Sequence, residues 1–117
     1  MRASPLALLH TAAAHVPRFD AALASLAPSL RADHAVEPGL LEEARARGGV
    51  PPALHARVRG TISALLDGGA RVVVCTCSTL GESAERAGVE LGRAVLRIDG
   101  PMAAAAVAGA PRILVLA

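Results

Sequence analysis

The sequence predicts an α/β domain, an open parallel sheet of four to five strands with helices on both faces. Three observations carry that expectation. Short apolar runs alternate with longer helical stretches along all 117 residues, the pattern of repeated strand–helix units. The run over residues 71–75, Arg-Val-Val-Val-Cys, is apolar after its first residue, as a parallel strand covered on both faces should be. It then breaks into Thr76-Cys77-Ser78-Thr79 ahead of a helical stretch, where open sheets place their ligand chemistry.

Each element has its own local reason. Residues 6–10 read as a first strand. Pro17 sits in the opening turn of a helix, where a missing N–H costs nothing. Phe19, Leu23, Leu26 and Leu30 follow at helical spacing, with Pro28 near the end. Residues 30–36 read as a second strand, poor in β-branched side chains. Pro38-Gly39 reads as a turn, and residues 40–47 as a short helix stopped by Gly48-Gly49. A longer helix follows Pro51-Pro52, with Leu54, Val58, Ile62, Leu65 and Leu66 on one face, until Asp67-Gly68-Gly69 ends it.

After the strand at 71–75, Ser78 or Thr79 is expected to cap a helix running to about Ala87, with Glu82 and Glu85 complementing its dipole. Residues 94–98 read as a fourth strand, 102–108 as a helix begun by Gly100-Pro101, and 112–117 as a fifth strand. No internal repeat or linker interrupts the chain, so residues 1–117 are expected to form one domain.

Composition narrows the function classes. Hydrophobic residues make up 53% of the chain, which argues against disorder. The net charge is only +2, and all twelve basic residues are arginines scattered among carboxylates. With one aromatic residue, Phe19, there is no platform for stacking bases, so no nucleic-acid partner is expected. No stretch approaches the roughly 20 uninterrupted apolar residues of a membrane span, so no membrane partner is expected either. The amino-terminal apolar stretch imitates an export signal but is cut by His10 and Thr11. Two cysteines one residue apart make no disulfide framework. Both are expected reduced, as in a cytoplasmic protein.

In a parallel sheet the carboxyl ends of the strands share one rim. That rim would gather His10 and Thr11, Glu37, Cys77-Ser78-Thr79, and Asp99. Cys77 is the candidate catalytic residue, because a thiol at a helix N-terminus is acidified by the dipole and free amides, and its thiolate can then act as nucleophile or base. It could equally pack as a small buried residue. Cys75, inside the strand, is expected in the core. Thr11, Ser78 and Thr79 could donate hydrogen bonds to a carboxylate. His10 is either a satisfied strand-end histidine or a substrate contact, and Asp99 either a turn residue or a ligand group. His15, His34 and His55 read as surface residues. Cys-x-Cys without a second ligand pair at a recognisable spacing does not make a metal motif, and no metal is expected.

Together these residues resemble the aspartate/glutamate racemase superfamily, particularly its hydantoin-racemase-like and arylmalonate-decarboxylase-like relatives. Leu8-Leu9-His10-Thr11, Cys75-Thr76-Cys77-Ser78-Thr79-Leu80-Gly81 and Leu96-Arg97-Ile98-Asp99-Gly100-Pro101-Met102-Ala103 look like that family's landmarks in their usual order. The resemblance implies a flavodoxin-like lobe and catalysis without a cofactor. In that family one cysteine from each of two lobes moves the proton next to a carboxylate. It maps Cys77 onto the first-lobe thiol, with Ser78 and Thr79, helped by Thr11, holding the carboxylate.

The chain departs from the family in covering one lobe and one candidate thiol, as expected of a fragment of a longer product, of a natural one-lobe relative, or of one of two copies that pair to rebuild the cleft with a Cys77 from each. The expectation is therefore a one-lobe relative of the racemases, an isomerase in kind, acting on a small carboxylate. Its rivals are a non-catalytic carboxylate- or phosphate-binding module and a thiol redox sensor. A lobe without its partner is also expected to self-associate, as a homo-oligomer, through exposed apolar surface.

Overall fold

A computed structural model describes residues 4–109 and Arg112. The described residues form a four-stranded, all-parallel sheet with five helices, in the order β1 (Leu6–His10), α1 (His15–Leu26), β2 (Ala32–Val36), α2 (Pro38–Arg47), α3 (Pro52–Asp67), β3 (Val72–Cys75), α4 (Gly81–Leu91), β4 (Ala94–Arg97) and α5 (Asp99–Gly109). This is the expected α/β class, consistent with a single flavodoxin-like lobe. The fifth strand expected over 112–117 lies outside the described residues apart from Arg112.

The strands lie in the order β2-β1-β3-β4. Leu8 pairs with His34 on one side and Val74 on the other, and Val74 with Leu96. Alternation then divides the side chains. Ala7, Leu9, Val73, Cys75 and Val95 face one way, into the main core. Leu8, His10 and His34 face the other.

The main core is built by α2, α3 and α4 against the first face. Helix α3 contributes Leu54, Val58, Ile62 and Leu66, a four-residue repeat that keeps one stripe inward. Leu65 sits beside it, half-buried. Leu40 and Ala44 come from α2, and Leu80, Ala84 and Ala87 from the start and body of α4. At about 25 cal/mol per Å² of apolar surface, each large side chain fully buried here contributes about 1.5–3 kcal/mol.

The second face is covered more lightly. Helix α1 buries none of its residues, and it meets the sheet through Phe19 and His15, whose rings lie 5.6 and 6.1 Å from that of His10. Toward β4 this face is open, with Leu96 47% and Ile98 41% exposed.

Element ends differ from expectation in an instructive way. Pro38 and Pro101 lie inside helices, in the first turns of α2 and α5, and do not precede them. Proline at a helix start loses only an N–H that has no intrahelical partner, so a turn signal and a helix start look alike in sequence. Helix α4 runs on to Leu91 because Gly92, at φ 65°, allows its closing turn, in which Arg93 N–H donates to Gly88 C=O at 2.9 Å. Gly48 closes α2 in the same manner.

Candidate functional site

Strand β2 lies on one side of β1 and β3 on the other, so the chain reverses its direction of travel across the sheet at β1. Right-handed crossovers then send α1 to one face and α2 and α3 to the other, leaving a crevice between the carboxyl ends of β1 and β3. The residues leaving those two ends are His10-Thr11 and Thr76-Cys77-Ser78.

The two ends are tied together. Thr76 N–H donates to Leu9 C=O at 3.0 Å, extending the ladder one residue past β3. Thr76 Oγ1 lies 3.2 Å from the same carbonyl and 2.8 Å from His10 Nδ1. His10 Nε2 lies 2.8 Å from His34 Nδ1, and His34 Nε2 lies 2.7 Å from Asp20 Oδ1. A continuous chain of four groups therefore runs from half-buried Thr76 to Asp20, whose side chain is 57% exposed.

Two proton arrangements satisfy this chain. In one, each group donates outward, from Thr76 through both imidazoles to the Asp20 carboxylate. In the other, Thr76 donates to Leu9 C=O, His10 donates to Thr76, and His34 donates to both His10 and Asp20. The second carries one proton more than the first, because His34 then donates from both ring nitrogens, so passing between them takes up a proton from solvent.

His10 itself is fully buried. Burial, followed by the neighbouring His34 and His15, pushes its pKa down to about 4. It is neutral at pH 7, with both ring nitrogens committed to protein partners. Of its two readings from sequence, the satisfied strand-end histidine describes this geometry. His34 and His55 are not the surface residues that sequence suggested: their side chains are only 14% and 12% exposed, each bonded at both nitrogens.

Cys77 lies on the rim two residues past β3, half-buried, with one side against the main core. Its expected place on a helix N-terminus is corrected by the structure. Ser78–Leu80 form a turn, closed by Gly81 N–H donating to Ser78 C=O at 3.3 Å, and α4 begins only at Gly81. The N-cap residue is Leu80, and neither Ser78 nor Thr79 makes a side-chain cap. Leu80 is drawn into that position by its own burial in the core. Ser78 and Thr79 are left exposed on the rim, their hydroxyls unused by the helix, while Thr11 is buried in the bend after β1.

Cys75 is the core residue it was expected to be. It is fully buried, its thiol reaches Cys77 C=O at 3.5 Å, and burial pushes its pKa up to about 11. A thiol so held is neither base nor nucleophile at pH 7.

Asp99 opens α5 and is occupied by Arg97, whose Nε and Nη2 donate to its two oxygens at 2.7 and 3.1 Å. The guanidinium holds the Asp99 carboxyl below the usual carboxylate range. Arg97 lies across Gly81, where a Cβ would meet its Nε at 2.9 Å. Asp99 thus fixes an arginine beside the start of α4, leaving Nη1 outside the pair. Sequence reading missed Arg97, Thr76, Asp20 and His34. Their roles follow from strand order and register, for which a single sequence carries no signal.

No protein-family model, curated protein or solved structure matches this chain. Among the described residues, no group of three or more His, Cys, Asp or Glu side chains could hold a metal ion, and no helix is long and apolar enough to cross a membrane.

Proposed function

We propose that this chain is a one-lobe relative of the cofactor-independent amino-acid racemases, which binds a small carboxylate in the crevice between β1 and β3 and moves a proton with Cys77. The observation that supports the reading best is a coincidence of topology and chemistry. The point where strand order reverses is the point where Thr11, Cys77, Ser78 and Thr79 leave the sheet. In this reading the exposed hydroxyls of Ser78 and Thr79, with Thr11 behind them, hold the carboxylate. The Cys77 thiolate takes the proton on the adjacent carbon, and the resulting enolate is quenched by proton return. His10 is a positioning residue, fixing the ends of β1 and β3 through Thr76. Asp99 acts through Arg97. Both thiols are taken as reduced, as in the cytoplasm.

The test is exchange of the α-hydrogen of aspartate, glutamate and simple hydantoins in deuterium oxide, followed by proton NMR. The reading expects incorporation that falls at least about 100-fold in Cys77→Ala, the scale of a lost general base. Incorporation that survives the substitution removes the thiol from the mechanism.

A second reading, a carboxylate- or phosphate-binding module without turnover, is favoured by the state of Cys75. A two-base reaction needs a second acid, and Cys75 is sealed in the core. That reading expects small carboxylates to raise the melting temperature equally in wild type and Cys77→Ser, with no deuterium incorporated.

A further inference from the structure

Between α3 and α4, a second cluster joins a hydroxyl, an imidazole and a carboxylate in line. His55 stands in the first turn of α3, its N–H donating to Pro51 C=O at 2.9 Å. Its Nδ1 lies 2.7 Å from Ser83 Oγ and its Nε2 lies 2.8 Å from Glu90 Oε1, both on α4. Arg59 Nη1 donates to the same Glu90 oxygen at 3.4 Å.

The order of protons along this line follows from the carboxylate. The hydrogen bond from His55 holds Glu90 below the ordinary carboxylate range, so Glu90 is ionised and can only accept. His55 therefore presents Nε2–H to Glu90. With Nε2 as the donor nitrogen, Nδ1 is the nitrogen that can accept from the Ser83 hydroxyl.

Ser83 also lines a cleft of about 240 Å³, with Gly49, Val50, Thr79, Glu82 and Arg86. Two backbone donors stand at the same place. Gly81 N–H is taken by Ser78 C=O and Ala84 N–H by Leu80 C=O, but the amides of Glu82 and Ser83 between them have no backbone acceptor. A nucleophile hydrogen-bonded to a base, a base oriented by a carboxylate, and unpaired N–H donors beside a cleft are the parts that acyl transfer requires.

We propose that Ser83, His55 and Glu90 form a nucleophile–base–carboxylate relay that accepts the acyl group of a small ester in the cleft between the α2–α3 connection and the start of α4. Ser83 Oγ bonds to the ester carbonyl carbon as its proton passes to His55 Nδ1. The carbonyl oxygen takes negative charge beside the free amides. Collapse breaks the ester C–O bond, and the alkoxide leaves with the proton from His55. Water, deprotonated by His55, then releases the acid and restores Ser83. The cleft admits a short acyl chain.

A fluorophosphonate ester tests the proposal, because it needs the same activated hydroxyl: Oγ bonds to phosphorus, fluoride departs, and the proton goes to His55. Intact mass and peptide mapping of the full chain are expected to show one adduct, on Ser83. Its rate is expected to fall at least about 100-fold in His55→Gln and about 10-fold or more in Glu90→Gln, which removes the charge that orients the ring. p-Nitrophenyl acetate is expected to give a burst of one equivalent of phenolate. Folding of each variant is followed by circular dichroism, and Glu90→Gln, altered at a partly exposed position, carries the test should His55→Gln not fold. Unmodified Ser83 in folded wild type overturns the proposal, and so does a rate unchanged in Glu90→Gln. Either result leaves the three residues as a polar link between α3 and α4.

Discussion

His10 shows how much of this molecule is settled by single side chains. A neutral imidazole with no solvent exposure joins β1, β3, β2 and α1 through one ring. Its folded pKa of about 4 lies below the ordinary histidine value of 6.5, so the unfolded chain binds more protons between those two pH values. Stability is therefore complete above about pH 6.5 and is lost as pH falls toward 4, by about 3 kcal/mol once the window is crossed. Urea unfolding between pH 7.5 and 4 measures this. In His10→Gln the slope over that window is expected to flatten, and an unchanged slope would assign the acid sensitivity to other groups. The residue itself was visible in the sequence as a strand-end histidine, and so were Thr11, Cys77, Ser78 and Thr79 as a rim. The relay through Thr76, His34 and Asp20 was not visible, because it depends on β2 lying beside β1 with His34 opposite Leu8.

Among the elements, those with strong periodicity were legible and those with punctuation were not. Helix α3 announces itself by Leu54, Val58, Ile62 and Leu66, and all four are buried. Ile62→Ala is expected to cost about 2–5 kcal/mol, measured by chemical unfolding, because the main core closes around it. Helix α4 carries no such stripe. It packs through small residues, and Gly88 lies so close to β4 that a Cβ would meet Val95 Cβ at 2.7 Å. Gly88→Ala is expected to destabilise the fold by about 1–3 kcal/mol despite the better helix propensity of alanine. A stabilised variant would show that α4 and β4 are less tightly joined than described. Helix α4 passes its expected end near Ala87 because Gly88 is a contact with β4 and Gly92 supplies the closing turn.

For the whole molecule, the unequal cover of the two sheet faces is the dominant feature. One face lies under three helices, while Leu96 and Ile98 remain open on the other. The self-association proposed for a single lobe belongs to this surface. Sedimentation velocity is expected to show mass rising with protein concentration, and Leu96→Glu is expected to shift the equilibrium toward monomer. A monomer at all concentrations would remove that proposal without touching the site. Strand order, which decides where the crevice lies, is a property of the assembled sheet and has no local sequence signature.

The account rests most heavily on a reachable thiol beside an anion site at the reversal point of the sheet, and alkylation in the native state measures both properties together. With iodoacetamide at neutral pH, Cys77 is expected to react while Cys75 stays protected, and small dicarboxylates are expected to slow the Cys77 reaction in a saturable manner. A Cys77 as inert as Cys75, or one whose rate no carboxylate changes, would contradict it.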